Sequence, residues 1–380
     1  MEEESIMTVY AHINTFPHGS TGGIMMKEHC ELLCAGDNSY AFWGRGRAAE
    51  GCHEMRIATD SEVRLDCLQS RLDGKAGFHS KTATRRLLAR LDELKPDVVH
   101  LHNLHGYYLN VEMLFNWLAS RDCRVEWTLH DCWAFTGHCA YFTYVKCNQW
   151  KVHCACSKPC SQLNTYPRTF SKASCAWNFE QKQRIFNLLD VDRMKLITPS
   201  QWLANLVGES ILSKYPVEVR HNTIDVSIFK PTPSNFRERY GIGDRFMILG
   251  VANPWTERKG LADFVQLATE LDSEKFIIVL VGLSKKQVRE ISKDGIIGLT
   301  RTDSQRELAG IYTAADVFFN PTIEDNFPTV NLEAEACGTP VVTYNIGGCR
   351  ETINDSRSKV ISANRNIFKE YLIGRINESK

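Results

Sequence analysis

The stretch Asn320–Glu351, NPTIEDNFPTVNLEAEACGTPVVTYNIGGCRE, decides the fold of the second half of the chain. Its pattern predicts a strand end, an acidic loop, a short helix, a buried strand and a glycine turn. Pro328 suits the first helical position, where its missing N–H costs nothing, and Gly338 can adopt the left-handed conformation that ends a helix. A second helix is expected to open at Gly347 and Gly348. Two helix N-termini at one sheet edge offer N–H groups and positive dipole ends, which predicts a site for a nucleotide diphosphate.

Strands and helices alternate on both sides of this stretch. Three predicted strands precede it in the second half, and a loop and a helical pattern follow the first and the third of them. The first half shows the same alternation, beginning with a buried strand at Thr8–Asn14. Alternating βα units build parallel sheets, so the sequence predicts an α/β fold with two doubly wound domains. The proline-containing segment Thr232–Asn235 is expected to link them, which gives domains 1–231 and 232–380.

The composition is that of a globular protein with no net charge. The 380 residues include 45 Lys and Arg, 45 Asp and Glu and 43% apolar residues, so the formal net charge is zero. This balance predicts no nucleic-acid partner, and no apolar run approaches the length of a membrane span. The opening MEEES lacks the basic and apolar regions of a signal peptide, so we expect a cytoplasmic location. In that reducing compartment, fourteen cysteines need an explanation.

The order of motifs from the acidic loop onward resembles the donor-site signature of family-4 glycosyltransferases. The shared motifs are an acid–x–Phe–Pro run, Glu-Ala, Cys-Gly-Thr-Pro-Val-Val, Gly-Gly and Glu351. The hallmark of that family is a pair of acidic residues eight positions apart, and Asp325 and Glu333 have this spacing. Asp325 stands where glutamate is commoner, with Glu324 beside it. The resemblance implies a GT-B fold, in which two Rossmann-like domains face each other across a cleft and the last helix, about residues 365–380, crosses back to the first domain.

The same resemblance implies how the donor would be bound. Lys259, before a glycine at a helix start, would neutralise a diphosphate, and Glu333 would bind the ribose. Asp325 or Glu324 would hold sugar hydroxyls, and which of the two does so stays open at this point. Arg258 either compensates for an arginine that many relatives carry earlier in this loop or is solvated. The complete set expected to bind the donor is Arg258, Lys259, Asn326, Phe327, Pro328, Glu333, Gly347 and Gly348.

The first domain is expected to bind ligands at the ends of its strands. After the first strand comes a glycine-rich turn that would bring backbone N–H groups close to a phosphate or sugar, formed by Gly19, Ser20, Thr21 and Gly22. Another strand ends in HLHNLHG (100–106), where we expect His102, Asn103 and His105 to bind sugar or acceptor hydroxyls. Metal binding there is the weaker alternative, because no Asp or Glu completes a ligand set locally. His130 ends the next strand, where the resembling family has a histidine that contacts the donor sugar and phosphate.

The segment Cys132–Cys160, CWAFTGHCAYFTYVKCNQWKVHCACSKPC, departs from a minimal domain of this fold. Thiolates and imidazoles are ligands of structural zinc, and the expected set is Cys139, Cys147, Cys154 and Cys160, with Cys156 among them in sequence. Their spacing differs from the tight CxxC pairs of a zinc knuckle, so buried free thiols in an aromatic-rich insertion are the alternative. Similar insertions occur in bacterial capsule and exopolysaccharide transferases of the same family. The resemblance implies no cofactor for catalysis, so zinc here would be structural.

These observations predict a retaining glycosyltransferase. It would move a sugar from a UDP- or GDP-linked donor to a saccharide or polyprenyl-diphosphate-linked acceptor in bacterial surface polysaccharide synthesis. The arginines of a predicted helix at Lys81–Leu94, with the basic stretch Arg71–Lys75, either belong to an ordinary surface helix or steer an anionic lipid acceptor through peripheral membrane contact. Two alternatives stay open: a sugar epimerase or phosphorylase of the same fold, and a non-catalytic, zinc-stapled binding protein.

Overall fold

The computed structural model describes residues 7–155, 158–291 and 295–378. The chain divides into two compact units, the first ending at Arg220 and the second beginning at His221. Each unit is built on one parallel β-sheet with helical connections. The predicted α/β architecture of two doubly wound domains is therefore confirmed.

The first unit contains a seven-stranded sheet in the order β3-β2-β1-β4-β5-β6-β7. Its strands are β1 Val9–Asn14, β2 Asn38–Trp43, β3 Glu54–Arg56, β4 Val98–Leu101, β5 Arg124–Thr128, β6 Met194–Thr198 and β7 Val217–Val219. Its helices are α1 Gly19–Ala35, α2 Asp60–Asp73, α3 Lys81–Leu94, α4 Val111–Ala119, α5 Ser174–Ile185 and α6 Gln201–Gly208. The strand order reverses between β1 and β4, which makes this pair the switch point of the sheet.

The second unit contains a six-stranded sheet in the order β10-β9-β8-β11-β12-β13. Its strands are β8 Phe246–Val251, β9 Phe276–Val281, β10 Ile296–Leu299, β11 Val317–Asn320, β12 Val341–Tyr344 and β13 Lys359–Ile361. Its helices are α7 Phe236–Arg239, α8 Leu261–Glu270, α9 Lys285–Ile291, α10 Gln305–Ala314, α11 Thr329–Ala336 and α12 Arg365–Glu378. The switch point lies between β8 and β11, so the loops after these two strands form the place where a sheet of this kind binds ligands.

Alternating side chains of the second sheet enter two separate apolar layers. On one face, Ile248 and Phe319 pack with Phe368 of α12, whose ring stacks on that of Phe319 at a centroid distance of 3.7 Å. On the other face, Met247 and Phe318 pack with residues of α10 and α11. Helix α12 therefore packs on the sheet of its own unit; residues 379 and 380, which the sequence assigned to this helix, lie outside the described residues.

The boundary between the units precedes the predicted one. The sequence placed a linker at Thr232–Asn235, but the contacts divide the chain between residues 220 and 221. The predicted linker is held within the second unit, because the N–H of Thr232 donates to Thr313 Oγ1 (2.9 Å) and Ser234 Oγ donates to the Gly310 carbonyl (3.0 Å). Prolines there shape a segment that packs along α10.

Helix α1 begins earlier than the sequence predicted. Gly19, Ser20, Thr21 and Gly22 form its first turn, so the expected glycine-rich loop is in fact helix. Gly22 serves close packing, because a Cβ at this position would lie 2.6 Å from the carbonyl oxygen of Phe16. The connection after β1 is thus limited to residues 15–18.

Helix α3 has the bounds that the sequence predicted, Lys81–Leu94. Two of its arginines are already paired: Arg86 with Glu62 of α2, and Arg90 with Glu93 at 2.6 Å. Of the helices within the described ranges, not one has both the length and the apolar composition that a bilayer span requires.

Candidate functional site

The loops that follow β8 and β11 bring three charged side chains together at the switch point of the second sheet. Lys259 Nζ lies 2.5 Å from Asp325 Oδ2, and Arg258 Nη1 lies 3.7 Å from the same oxygen. Burial alone would raise the pKa of the Asp325 carboxyl, but the two cationic neighbours outweigh it and hold that pKa below its usual value. Asp325 is therefore ionised at neutral pH.

Arg258 also joins the two loops through the backbone. Its guanidinium donates to the carbonyl of Glu324, and its own carbonyl accepts from the N–H of Ile323 (2.9 Å) and from Thr322 Oγ1 (3.1 Å). The Arg258 side chain is 16% exposed, so it is part of the site and not a solvated surface arginine. Glu324 has no exposed surface, whereas the side chain of Asp325 keeps 12%. Of the two candidate carboxylates, Asp325 is the one that a ligand can reach.

A glycine turn after β12 fixes the position of the Asp325 backbone. Gly347 has φ +59°, and a Cβ there would lie 2.0 Å from the Asp325 carbonyl oxygen. The N–H of Gly348 donates to that same oxygen at 3.0 Å. The predicted second helix is only a 3-10 turn, Cys349–Thr352, and the Gly348 N–H expected to face an anion is used inside the protein. The prediction of a second α-helix was wrong, and the Gly347–Gly348 turn supports the acidic loop. Binding of the donor diphosphate by Gly347 and Gly348 stays a prediction.

The acidic loop leads directly into α11. Pro328 precedes the first helical residue, Thr329, and so lies one position before its predicted place. Asn326 and Phe327 are buried, and the Phe327 ring stacks on His221 at 4.9 Å. The helix ends as predicted, with Gly338 in the left-handed conformation at φ +87°.

Glu333 lies on α11, facing α10. Its Oε2 accepts a hydrogen bond from the hydroxyl of the buried Tyr312 at 3.0 Å. Burial raises the pKa of the Glu333 carboxyl, and the hydrogen bond opposes that rise without cancelling it. Tyr312 therefore orients a carboxylate that the sequence assigned to ribose binding. Sequence reasoning missed this tyrosine, because nothing in the motif refers to α10.

A chain of buried side-chain amides and hydroxyls connects the elements beneath the site. Asn320 Nδ2, at the end of β11, donates to Asn331 Oδ1 on α11 at 2.9 Å. Asn331 Nδ2 donates to Thr352 Oγ1 at 2.8 Å, and that hydroxyl donates to the Cys349 carbonyl at 2.6 Å. Asn331 is fully buried. No sequence motif indicates a role for Asn331, although it connects the strand, the helix and the glycine turn.

Asn331→Leu is expected to destabilise the second unit. The substitution leaves the buried Asn320 amide without its acceptor, a loss of about 1–3 kcal/mol in the free energy of unfolding. Urea denaturation measures this loss. Thr352→Val removes the hydroxyl that accepts from Asn331 Nδ2. Because Asn331 and Thr352 share this hydrogen bond, the double variant should lose less stability than the sum of the two single variants. Additive losses would show that the two side chains do not interact.

The predicted residues of the first unit meet at the switch point of its sheet. The Nδ1 of His102 lies 3.2 Å from the Nε2 of His130, and His105 Nε2 lies 2.8 Å from Asp131 Oδ2. Burial lowers the pKa of His130 to about 4, which leaves its imidazole neutral at physiological pH. The carbonyl of Asn103 accepts from Thr15 Oγ1 at 3.0 Å, so the loop after β4 is fixed to the end of β1. The structure thus brings His102, Asn103, His105 and His130 together, and it places Gly19–Gly22 in α1 instead.

The cysteine-rich segment forms a partly aromatic pocket in the first unit. Four predicted cysteines and one that the sequence analysis missed line it, namely Cys139, Cys147, Cys154, Cys160 and Cys175. Burial raises the pKa of the Cys154 thiol to about 12, and hydrogen bonds from Cys139 and Cys175 lower that of Cys160. Cys156 lies outside the described residues. The grouping of the thiols was predicted; a zinc ion held by them stays a prediction.

Comparisons with known proteins find a family model that matches part of the second unit. Residues 245–376 match the model described as glycosyl transferases group 1. Over 374 residues the chain is 23% identical to the protein named colanic acid biosynthesis glycosyl transferase WcaC from Escherichia coli K12, covering 90% of this chain and 84% of that one.

Solved structures show the same fold over nearly the whole chain. Sucrose-phosphate synthase of Thermosynechococcus elongatus aligns with a TM-score of 0.70 at 15% identity, covering 98% of this chain and 90% of that chain. HepE of Anabaena, solved in complex with UDP, aligns with a TM-score of 0.63 at 12% identity, covering 99% and 91%. These likenesses confirm the GT-B architecture that the sequence predicted.

Proposed function

We propose that this chain, whose residues 245–376 are a glycosyl transferases group 1 domain, transfers a sugar from a nucleoside-diphosphate sugar to a saccharide or lipid-linked acceptor. The observation that carries the proposal is the Lys259–Asp325 pair at the β8–β11 switch point, where Arg258 adds a second positive charge. The complex of the similarly folded HepE with UDP supports a nucleotide donor, and the WcaC likeness supports a role in surface polysaccharide synthesis.

The chemistry requires a leaving group whose negative charge is stabilised. In this proposal the ammonium of Lys259 turns from Asp325 to the donor diphosphate, and Arg258 keeps the acidic loop in place. Fixed cations aimed at a departing diphosphate stabilise the charge that develops on it in the transition state. Glu333, oriented by Tyr312, binds the ribose hydroxyls. Asp325, the more accessible of the two carboxylates, accepts hydrogen bonds from the sugar hydroxyls.

The first unit contributes the acceptor side in this proposal. The neutral imidazole of His130 can accept or donate a hydrogen bond, as contact with a sugar hydroxyl requires. Asn103 and His105 extend the same polar strand-end surface, whereas His102 is buried behind His130. Three further parts of the proposal rest on the family resemblance. The transfer retains the anomeric configuration, the donor is UDP- or GDP-linked, and catalysis needs no cofactor.

A panel of nucleotide sugars tests this function. UDP-, GDP-, ADP- and CMP-linked sugars are added to the purified chain, and the midpoint of thermal unfolding is measured. A donor at 100 times its Kd should stabilise the protein by about 2.7 kcal/mol. The stabilising donor is then incubated without acceptor, and slow release of free sugar is followed. Binding without any turnover would favour a non-catalytic binding protein, and an altered sugar still attached to the nucleotide would favour an epimerase. Failure of every donor to bind contradicts the proposal.

A further inference from the structure

A polar cluster lies where the first unit should have an apolar layer. Parallel sheets covered by helices normally bury apolar side chains on both faces. In β1 and β4 one face does so, with Ile13 and Leu101 in the main core. The alternate positions carry His12 and His100, which are register partners on the neighbouring strands, and His102 follows two residues later on the same face. All three residues are at most 4% exposed.

Helix α1 covers this face and supplies a carboxylate. Glu28 Oε2 lies 3.1 Å from His100 Nδ1 and 3.8 Å from His102 Nε2. The ligand atoms of His12, Glu28, His100 and His102 all lie within 4.8 Å of one another. Across the described ranges, this is the one group of His, Cys, Asp and Glu side chains that satisfies this condition, and the cysteines of the aromatic pocket are not in it. The carboxylate that the local sequence around the histidines lacks is thus supplied by a distant helix.

The outward nitrogens of two histidines are already fixed. His100 Nε2 lies 2.8 Å from Thr128 Oγ1, and His102 Nδ1 lies 3.2 Å from His130 Nε2. In both rings the other nitrogen faces Glu28. A metal-binding histidine is typically held in this way, with one nitrogen hydrogen-bonded behind it and the other turned to the ion. The neighbouring His29 differs, because both of its nitrogens contact Ser39 and Glu54.

Several buried atoms of this cluster have no hydrogen bond of good geometry. They are the two ring nitrogens of His12, Nε2 of His102 and Oε2 of Glu28, whose nearest polar neighbour is His100 Nδ1 at 3.1 Å. Leaving a buried polar group unpaired costs about 1–3 kcal/mol, so several in one place need a compensating ligand.

We propose that His12, Glu28, His100 and His102 form a binding site for a divalent transition metal, with Zn²⁺ as the expected ion. Three imidazoles and one carboxylate suit Zn²⁺, whereas Ca²⁺ and Mg²⁺ prefer oxygen ligands. Four protein ligands complete a tetrahedral shell, so the site is structural and holds α1 against β1 and β4. The Glu28 side chain is 25% exposed and marks the entry path for the ion. The other oxygen of this carboxylate, Oε1, lies 4.0 Å from Arg220 Nη1.

Metal content and cobalt spectroscopy test this site. The chain purified without chelators is expected to contain about one zinc per chain by elemental analysis. Chelated protein refilled with Co²⁺ should show the visible bands of a tetrahedral nitrogen and oxygen site, without the intense near-ultraviolet band of a cobalt–thiolate bond. Adding Zn²⁺ to the metal-free wild type should also raise its unfolding midpoint. If the wild type takes up no metal and Zn²⁺ does not stabilise it, the proposal is wrong.

Variants distinguish zinc bound at this site from zinc bound by the cysteines, and a specific loss of zinc from a loss caused by misfolding. Glu28→Gln keeps the size of the side chain and should abolish stoichiometric zinc, while Thr128→Val, which only positions His100, should weaken affinity by about 10- to 100-fold. His79→Gln is the matched control, because His79 lies 3.2 Å from Asp73 in an ordinary histidine–carboxylate pair. Circular dichroism confirms that each variant is folded. If Glu28→Gln is folded and retains zinc, or if zinc is lost only when Cys139 and Cys160 are replaced by serine, the proposal is wrong.

Discussion

Lys259→Met is expected to lower the hydrolysis of the donor by at least about 100-fold, because the loss of one preorganised donor to a developing anion typically costs that much. Methionine keeps most of the side-chain volume and removes the charge that lies 2.5 Å from Asp325. Release of free sugar from the stabilising nucleotide sugar is the measurement. Lys259→Arg restores a cation with different geometry and should recover part of the activity.

Lys275→Met is the matched control for this substitution. Lys275 also pairs with an aspartate, Asp272, at 2.8 Å, but it is exposed and lies just before β9, at the opposite end of the sheet from the site. Its replacement should leave hydrolysis unchanged. If Lys259→Met hydrolyses the donor as fast as the wild type, the assignment of the diphosphate site is wrong, even if the chain proves to be a glycosyltransferase.

Gly347→Ala is expected to disable the site although it replaces no charged residue. The added Cβ would lie 2.0 Å from the Asp325 carbonyl, so the acidic loop must move by roughly 1 Å or more. The φ of +59° adds about 1–2 kcal/mol of backbone strain for alanine. A displacement of about 1 Å in a catalytic group can cost 100-fold in rate, and we expect a loss of that order together with lower stability. Donor hydrolysis and urea denaturation measure the two effects.

Gly374→Ala separates this effect from a general intolerance of alanine. Gly374 lies in α12, and a Cβ there would meet nothing within 4 Å. Alanine is a better helix former than glycine, so this variant should gain about 0.5–1 kcal/mol in stability and keep full activity. Equal behaviour of the two alanine variants would contradict the role assigned to Gly347.

The sequence predicted those features that depend on local pattern. The alternation of strands and helices gave both sheets, and α3 begins and ends at the predicted residues. The sequence analysis assigned Lys259 and Asp325 to one site, and their side chains are in contact although the two residues lie far apart in the chain. Residues so distant in sequence can meet because parallel strands place their carboxyl ends, and the loops that follow them, at one edge of a sheet.

Features that depend on packing between distant elements were not predictable in the same way. The Asn320–Asn331–Thr352 chain follows no motif, because hydrogen bonds between buried amides leave no periodic signal. Glu28 looks in sequence like any charged residue of a helix. The Gly348 N–H was assigned to an anion because the sequence does not reveal that the carbonyl of Asp325 competes for it.

The contact between Lys259 and Asp325 has a consequence for selectivity. Because Lys259 pairs with Asp325, its charge is already balanced, so a small anion does not meet an unpaired ammonium at this position. Under the proposed function, a ligand binds Lys259 only by displacing Asp325, and a diphosphate whose ribose and sugar are also bound would do this at lower concentration than free phosphate. The carboxylate would thus act as an internal competitor, setting a threshold of affinity that simple phosphates do not reach.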